Sequence, residues 1–290
     1  MELADVLDSK SSGVTRAGSS PATGTSSSQV MCRLRRAFLF HCRANRAESL
    51  RKVYSVPGGV VMDPRGVQLI AKQTMDYLRS VIRPGMKLTQ VRSLCENKML
   101  ELGADSFWYW DIGAFVFSGD ETAKSISGKE YITSDRQVME NDLITIDLSP
   151  QHNYIWGDYA RTIILENGRV ANGVEDIQNL EWREGLMMEC LLHRELIDYV
   201  DDTTTFEALY RYMNAKILTY GFVNLDFLGN LGHSIEKNRE DRIYIERGNL
   251  TKLSDVIYFT FEPHIARPNS VYGFKWENIY HFQSGKLMEL

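Results

Sequence analysis

The stretch from Asn141 to Leu165, NDLITIDLSPQHNYIWGDYARTIIL, decides the fold of this chain. Two runs within it, 143–148 and 154–165, are rich in β-branched and apolar residues, a composition that favours β-strands. The segment 150–153 between them, Pro-Gln-His-Asn, consists of residues that favour turns. We therefore predict that the two runs form a β-hairpin.

Each predicted strand carries one aspartate, Asp147 in the first and Asp158 in the second. A hairpin that closes symmetrically around His152 and Asn153 places these two carboxylates opposite each other. Directly opposed like charges destabilise a sheet, and a buried carboxylate without a partner is costly. A cation between the two aspartates removes both penalties. The alternative is a slipped register in which both carboxylates are solvated.

The overall composition excludes several classes of protein. With 290 residues, 43% of them hydrophobic, the chain is long enough for one large globular domain or two small ones. A net charge of −5 argues against nucleic acid or an anionic membrane surface as the main partner. No apolar run approaches the roughly 20 residues of a membrane span. The four cysteines show no CxxC spacing, which favours reduced thiols and a cytoplasmic location.

Residues 1–55 differ in composition from the rest of the chain. The piece 11–29 is almost entirely Ser, Gly, Thr, Ala and Pro, and such a segment cannot bury enough surface to offset the entropy lost on ordering. We predict a disordered or low-complexity N-terminal extension over 1–55 and a folded domain over 56–290. Apolar periodicity and capping residues predict helices at 64–82, 90–102, 175–199 and 205–220. Strand-like runs lie at 107–110, 113–117, 255–263 and 271–282.

Three further residues have the chemistry to join the hairpin aspartates. His233 follows a glycine-rich entry, while Glu262 and Glu277 lie inside apolar strands, VIYFTFEPHI and VYGFKWENIYHF. A glutamate in a buried strand needs a partner, although an edge strand with the carboxylate facing outward is the alternative. Four carboxylates and one imidazole suit two divalent cations of the Mn, Fe, Co or Zn type.

Five motifs in order, IDLSP, WGDYART, LGHSIE, TFEPHI and FKWENIYHF, give the chain a family resemblance. Over about residues 60–290 it resembles the pita-bread metallopeptidases: methionine aminopeptidase, aminopeptidase P, prolidase and creatinase. The resemblance implies an α+β fold of pita-bread type. In that fold a curved antiparallel sheet with flanking helices forms a single catalytic domain.

The same resemblance implies a site and a reaction. Asp147, Asp158, His233, Glu262 and Glu277 would bind two divalent metal ions, Mn, Co, Fe or Zn, with a bridging water or hydroxide, and Glu262 would also be the general base. The implied activity is that of a dinuclear metal-dependent hydrolase of the aminopeptidase type. It would cleave an amide or related C–N bond of a peptide or small specialised substrate, as Xaa-Pro and methionine aminopeptidases do.

Two departures from the family pattern concern histidines. A histidine normally follows the serine-glycine loop, and the corresponding stretch 118–131 has none. A second is expected seven residues after the metal-binding one, where this chain has Glu240. His264 lies two residues after Glu262, on the same face of a regular strand. We predict that it replaces the missing histidines as a donor to the developing oxyanion, with Glu240 as the next candidate; packing against a neighbouring strand is the alternative role for His264.

The same sequence features leave two alternative functions open and indicate the expected partners. A non-catalytic binding protein of pita-bread shape and a creatinase-like, metal-independent hydrolase of a non-peptide substrate are the alternatives. All five ligand candidates are present in the sequence, which favours the metal-dependent hydrolase over both. The expected partner is a peptide or small-molecule substrate, with no nucleic acid and no membrane; a homodimer is left open.

Overall fold

The structure is a computed structural model that describes residues 62–290, so the predicted extension over 1–55 lies outside the described residues. The described chain contains four α-helices and thirteen β-strands. The helices are α1 (Pro64–Val81), α2 (Leu88–Glu101), α3 (Leu180–Tyr199) and α4 (Phe206–Thr219). The strands are β1 (Ser106–Phe107), β2 (Ala114–Ser118), β3 (Asp142–Leu148), β4 (Pro150–His152), β5 (Ile155–Trp156), β6 (Tyr159–Glu166), β7 (Arg169–Val170), β8 (Val223–Asn224), β9 (Phe259–Phe261), β10 (His264–Ala266), β11 (Gly273–Lys275), β12 (Asn278–Gln283) and β13 (Lys286–Glu289).

All four predicted helices form, and three of them begin at a residue other than the predicted one. The helix α2 begins at Leu88 because the Oε1 of Gln90 accepts a hydrogen bond from the backbone N–H of Lys87 at 2.9 Å, a cap that the sequence analysis missed. The helix α3 begins at Leu180, five residues after the predicted start. The Oδ1 of Asn179 accepts from the N–H of Trp182 and so starts the helix there.

The strands pair antiparallel in four sheets. The largest has the order β2-β3-β6-β7, and the three-stranded sheets have the orders β1-β4-β5, β11-β10-β8 and β13-β12-β9. A bridge between Arg161 and Trp276 connects β6 to the segment between β11 and β12. Helices and antiparallel sheets are thus combined in one α+β architecture, as predicted.

The central hairpin forms with a register that differs from the predicted one. Asp147 pairs with Ala160, not with Asp158. The chain turns at Asn153 and Tyr154, which both have positive φ (49° and 65°) as a type I′ turn requires, and not at His152 and Asn153. Moving the turn by one residue moves the pairing by two. Because side chains alternate between the faces of a strand, a shift of two keeps Asp147 and Asp158 on the same side.

The described residues form two large hydrophobic cores. One is formed by α1 and α2 packed against β2, β3 and β6, and includes the buried side chains of Leu78, Val91, Met99, Ile144 and Ile163. The other is formed by α3 and α4 with β9 to β12, and includes Leu192, Leu209, Phe259, Phe261 and Phe274. Within residues 62–290, no helix has both the length and the apolar character that crossing a membrane requires.

The helix α3 also buries a carboxyl group that belongs to neither core. Glu189 is fully buried, and neither of its carboxyl oxygens has a hydrogen-bond partner among the described residues. Burial raises the pKa of Glu189 well above its ordinary value, against the opposing charges of Lys275 and Arg161. Burial without a partner therefore disfavours the ionised form of this carboxyl group in the folded protein.

We expect Glu189→Gln to change how stability depends on pH. Above about pH 4.3 the unfolded chain has released this proton while the folded chain keeps it, so the free energy of unfolding of the wild type falls with rising pH, by at most about 1.4 kcal/mol per unit. A glutamine amide does not titrate, so the variant gains stability relative to the wild type as the pH rises from about 4.3 towards the raised pKa of Glu189 in the folded chain. Urea unfolding measures this difference.

The matched control is Asp198→Asn, at an exposed position on the same helix. It is expected to follow the pH dependence of the wild type. If Glu189→Gln also follows it, Glu189 is ionised in the folded chain.

Candidate active site

Asp158 is positioned through its backbone by a side chain of α1. The buried amide of Gln68 donates from Nε2 to the carbonyl oxygen of Asp158 at 2.8 Å and accepts at Oε1 from the N–H of Asp158 at 2.9 Å. The indole of Trp108 donates to the carbonyl oxygen of the preceding residue, Gly157, at 3.1 Å. These bonds hold Asp158 rigidly just before β6, with its side chain 5% exposed.

His233 presents one nitrogen lone pair to the carboxylates. The preceding Gly232 has φ +140°, and a Cβ there would lie 2.2 Å from the carbonyl oxygen of Thr260, so only glycine allows this approach to β9. The Nδ1 of His233 lies 2.9 Å from the carbonyl oxygen of Ser234, which can only accept, so Nδ1 carries the proton. The unprotonated Nε2 lies 3.6 Å from the Oδ2 of Asp158 and 3.7 Å from the Oε1 of Glu262.

Glu277 lies between β11 and β12 and is anchored to β6. Its N–H donates to the carbonyl oxygen of Ala160 at 2.9 Å, and its own carbonyl oxygen accepts from the Nη1 of Arg161 at 2.6 Å. The side chain is 1% exposed, and neither carboxylate oxygen has a hydrogen-bond partner within the described part of the chain. Such a group needs a cation or a proton.

The structure brings the four carboxylates and the imidazole close together. Asp147, Glu262 and Glu277 each offer an oxygen within 4.8 Å of the others, and the distances from His233 bring in Asp158. Burial, reinforced by the neighbouring carboxylates, raises the pKa of both Asp158 and Glu277 well above the ordinary value. Burial and then the charge of Arg242 lower the pKa of His233 to about 3, so the ring is neutral. A neutral imidazole, carboxylate oxygens and the two oxygens of Glu277 that have no hydrogen-bond partner among the described residues fit divalent metal ions.

The two predicted substitutes for the missing histidines, Glu240 and His264, both have hydrogen-bond partners outside the carboxylate cluster. Glu240 is exposed, and its carboxylate binds Arg239 at 2.7 Å, away from the cluster. His264 does lie beside the carboxylates, but its Nε2 is 2.7 Å from the carbonyl oxygen of Thr122. Burial, with the charge of Lys275, lowers the pKa of His264 to about 4, so the ring is neutral and has a single N–H. That N–H donates to the carbonyl oxygen of Thr122. The remaining nitrogen accepts and cannot donate to an oxyanion, contrary to the prediction.

Three carboxylates of the cluster, those of Asp147, Asp158 and Glu262, line a pocket of about 500 Å³ with aromatic walls. The wall residues include Trp108, Tyr109 and Tyr244, whose ring centres lie 5.0 to 5.4 Å from the guanidinium carbon of Arg242. The Nε of Arg242 donates to the carbonyl oxygen of Arg239, and its two terminal nitrogens have no hydrogen-bond partner among residues 62–290. The pocket thus combines a carboxylate cluster with a cationic group on its wall.

Sequence reasoning missed three residues that shape the site: Gln68, Arg242 and Lys275. Two of them left a signal. Gln68 stands on the apolar face of α1, three residues before the buried Ala71, where a polar side chain needs a partner. Lys275 stands two residues before Glu277 in a strand-like run, a spacing that puts both on one face. Arg242 follows an irregular segment, where periodicity carries no information.

Comparison with known proteins places the chain in a family. Residues 65–283 match the family described as Metallopeptidase family M24, and the chain belongs to that family of metallopeptidase-type hydrolases. Comparison with curated protein sequences returned no match.

Several solved structures share the fold. The X-Pro aminopeptidase from Thermotoga maritima is 19% identical, with a TM-score of 0.65 over 81% of this chain and 61% of that one. The prolidase from Pyrococcus furiosus is 21% identical, with a TM-score of 0.64 over 77% of this chain and 61% of that one. The Xaa-Pro dipeptidase from Bacillus anthracis is 18% identical, with a TM-score of 0.65 over 81% of this chain and 61% of that one. The chain thus has the pita-bread fold and spans about three-fifths of the length of these structures.

We expect Gln68→Leu to loosen Asp158 without unfolding the protein. The substitution leaves the buried N–H and C=O of Asp158 unpaired, which costs about 1–3 kcal/mol of unfolding free energy for each group. It also frees the carboxylate to move, so the affinity for Mn²⁺ falls. Urea unfolding and a calorimetric Mn²⁺ titration measure the two effects.

Gln73→Leu on the same helix is the matched control, because the side chain of Gln73 makes no hydrogen bond among the described residues. Unchanged Mn²⁺ affinity in Gln68→Leu would show that Asp158 is held by other contacts.

Proposed function

We propose that this chain is a divalent-metal-dependent hydrolase that cleaves an amide or related C–N bond in a peptide or a small specialised substrate. The observation that supports this most is the buried carboxylate of Glu277, which has two unpaired oxygens and lies beside the carboxylates of Asp147 and Glu262. A non-catalytic binding protein gains nothing from clustering carboxylates that repel one another. The same cluster argues against a metal-independent, creatinase-like reaction.

Asp147, Asp158, His233, Glu262 and Glu277 are the proposed ligands. The resemblance implies two ions, of Mn, Co, Fe or Zn, as the complement of this set. Divalent ions supply Lewis acidity towards a carbonyl oxygen and lower the pKa of water.

Glu262 is the proposed general base. Its side chain is 22% exposed and lines the pocket, whereas that of Asp158 is 5% exposed. Of these two ligands, Glu262 is therefore the one that a substrate can approach and the one that can take up a proton from the pocket side. A cytoplasmic location stays a prediction from the cysteine pattern, and a homodimer stays open.

The wall of the pocket suggests how the substrate is oriented. The terminal nitrogens of Arg242 have no hydrogen-bond partner among the described residues, and a guanidinium forms paired hydrogen bonds with a carboxylate. The likeness to an X-Pro aminopeptidase and a prolidase makes short proline-containing peptides the first substrates to test. We propose that Arg242 binds a carboxylate of the substrate while the scissile bond lies over the ligand cluster.

The test of the proposed function is Asp158→Asn, assayed on a panel of proline-containing and other short peptides with Mn²⁺ or Co²⁺. An amide at this position removes a charge that balances the ions. We expect the affinity for metal and the rate of hydrolysis both to fall by more than the 10–100-fold typical of residues that only support a ligand.

Asp76→Asn, exposed on α1, is the control and is expected to match the wild type. A wild-type protein that binds no divalent ion, or an Asp158→Asn protein that hydrolyses peptides at the full rate, would rule the proposal out.

For Arg242→Met we expect a selective effect on KM. Loss of a paired, charge-assisted hydrogen bond weakens the binding of peptides with a free carboxylate by about tenfold or more, whereas the same peptides with an amidated C-terminus are unaffected. Steady-state kinetics on matched acid and amide peptides gives both values.

The control is Arg239→Met, whose side chain stacks over Trp110 and pairs with Glu240. If Arg242→Met affects acid and amide substrates equally, Arg242 only shapes the pocket.

A further inference from the structure

The segment 242–246, Arg-Ile-Tyr-Ile-Glu, lies along one wall of the pocket. Its backbone is fixed to the residues around the proposed histidine ligand. The N–H of Ile245 donates to the carbonyl oxygen of Gly232 at 2.8 Å, and Tyr244 forms a bridge with His233. The segment therefore has a defined position relative to the ligand cluster.

The side chains of this segment alternate between the core and the pocket. Ile243 and Ile245 pack in the core of α3 and α4, whereas Arg242, Tyr244 and Glu246 line the pocket. Such alternation is that of an extended chain, in which successive side chains point to opposite faces. The segment thus presents a guanidinium, an aromatic ring and a carboxylate to the pocket in a row.

The carboxylate of Glu246 is not used by the protein's own structure. Glu246 is half-buried, and its carboxylate makes no hydrogen bond or ion pair among residues 62–290. Asp226 also lines the pocket outside the cluster, but its Oδ1 accepts from the N–H groups of Leu228 and Asn230, both at 2.9 Å. Of these two carboxylates, Glu246 is the one available to a cationic group that enters the pocket.

The positions of Arg242 and Glu246 set a distance between two opposite charges. Four residues separate them, which in an extended chain is at most about 13 Å between their Cα atoms. At the same rise per residue, an extended peptide of three or four residues spans about 10 to 13 Å, and a dipeptide only about 7 Å. The charged groups at the ends of a short peptide are an ammonium and a carboxylate, which complement Glu246 and Arg242.

The middle of the segment lies next to the ligand cluster. The ring centre of Tyr244 is 6.0 Å from that of His233, and Tyr244 is midway between the two charged residues. A peptide that binds along the segment therefore has an internal bond beside the cluster, while its two ends lie at the charges.

We propose that Glu246 is a binding site for the free amino group of a peptide whose carboxylate is bound by Arg242, and that the pair makes the pocket selective for peptides of three or four residues. This inference rests on the proposed function and adds the length and the charged ends of its substrate.

The first experiment is a length series, assayed with the Mn²⁺-loaded full chain: Ala-Pro, Ala-Pro-Ala, Ala-Pro-Ala-Ala and the same sequence extended by alanine to six residues. Only the peptides of three and four residues can reach both charges. Because each charge-assisted contact contributes substantially to binding, we expect their KM to be lower than that of the two other peptides by about tenfold or more.

The second experiment combines Glu246→Gln with N-acetylation of Ala-Pro-Ala. In the wild type we expect acetylation to raise KM by about tenfold or more. In the variant, we expect a KM for the free peptide that is raised by a similar factor, an effect of acetylation that is smaller by about tenfold, and an unchanged kcat. Attraction of the amino group to other carboxylates cancels in this comparison, because it is present in both proteins.

The matched control is Glu236→Gln, because Glu236 is also half-buried and its carboxylate makes no hydrogen bond among the described residues, but it lies outside the pocket lining. It is expected to respond to acetylation as the wild type does. Circular dichroism shows that both variants fold. Calorimetric titration of the full chain without added metal, with free and acetylated Ala-Pro-Ala, measures the same coupling without hydrolysis.

A KM that does not depend on peptide length, or an effect of acetylation that is the same within about twofold in the wild type and Glu246→Gln, would overturn this role of Glu246 and leave the proposed hydrolysis intact. If the calorimetric titrations show the expected coupling and no peptide is hydrolysed, the amino-group site stands and the proposed hydrolysis fails.

Discussion

Mutual repulsion among four clustered carboxylates is the constraint on which this structure depends. Asp147, Asp158, Glu262 and Glu277 lie at one side of a small pocket, where water screens their charges poorly. The protein contributes some of the compensation from its own chain, through the ammonium group of Lys275. The remaining negative charge is what the proposed divalent ions would balance. Binding and stability are thus coupled, since any ion that neutralises the cluster also stabilises the fold.

The site also depends on both hydrophobic cores. The hairpin on the side of α1 and α2 provides the two aspartates, and the sheets on the side of α3 and α4 provide the histidine and the two glutamates. Arg161 joins the two sides. It stacks between the rings of Tyr159 and Trp276, at 3.8 and 4.0 Å, and donates to the carbonyl oxygen of Glu277. A guanidinium is suited to this position because it stacks on both faces while its nitrogens donate in the plane.

The sequence predicted those features that depend on local patterns or on ordered motifs. All four helices, the central hairpin and the convergence of the five ligand candidates could be inferred from it. The pairing of Asp147 required the position of the turn, and the positive φ of a tyrosine, Tyr154, is not a preference that a sequence reveals. Lys275 lies 128 residues from Asp147 along the chain, and the hydrogen bond that occupies His264 comes from Thr122, 142 residues away. The spacing of Lys275 from Glu277 indicates the strand face that they share, but contacts over such distances depend on tertiary packing and cannot be inferred from it.

The register of the central hairpin limits how its length can vary. The same register holds in two segments, from Asp142 with Leu165 to Leu148 with Tyr159 and from Gln151 with Trp156 to His152 with Ile155, so residues on the two sides of the turn correspond in pairs. Inserting or deleting two residues at the tip, one on each strand, would lengthen or shorten the hairpin and leave Asp158 on its face. A single insertion between the turn and Asp158 would turn this carboxylate to the opposite face, unless a bulge absorbed the extra residue. The tip of the hairpin around Tyr154, which is 68% exposed, is therefore a place where this chain can accept grafted segments of even length.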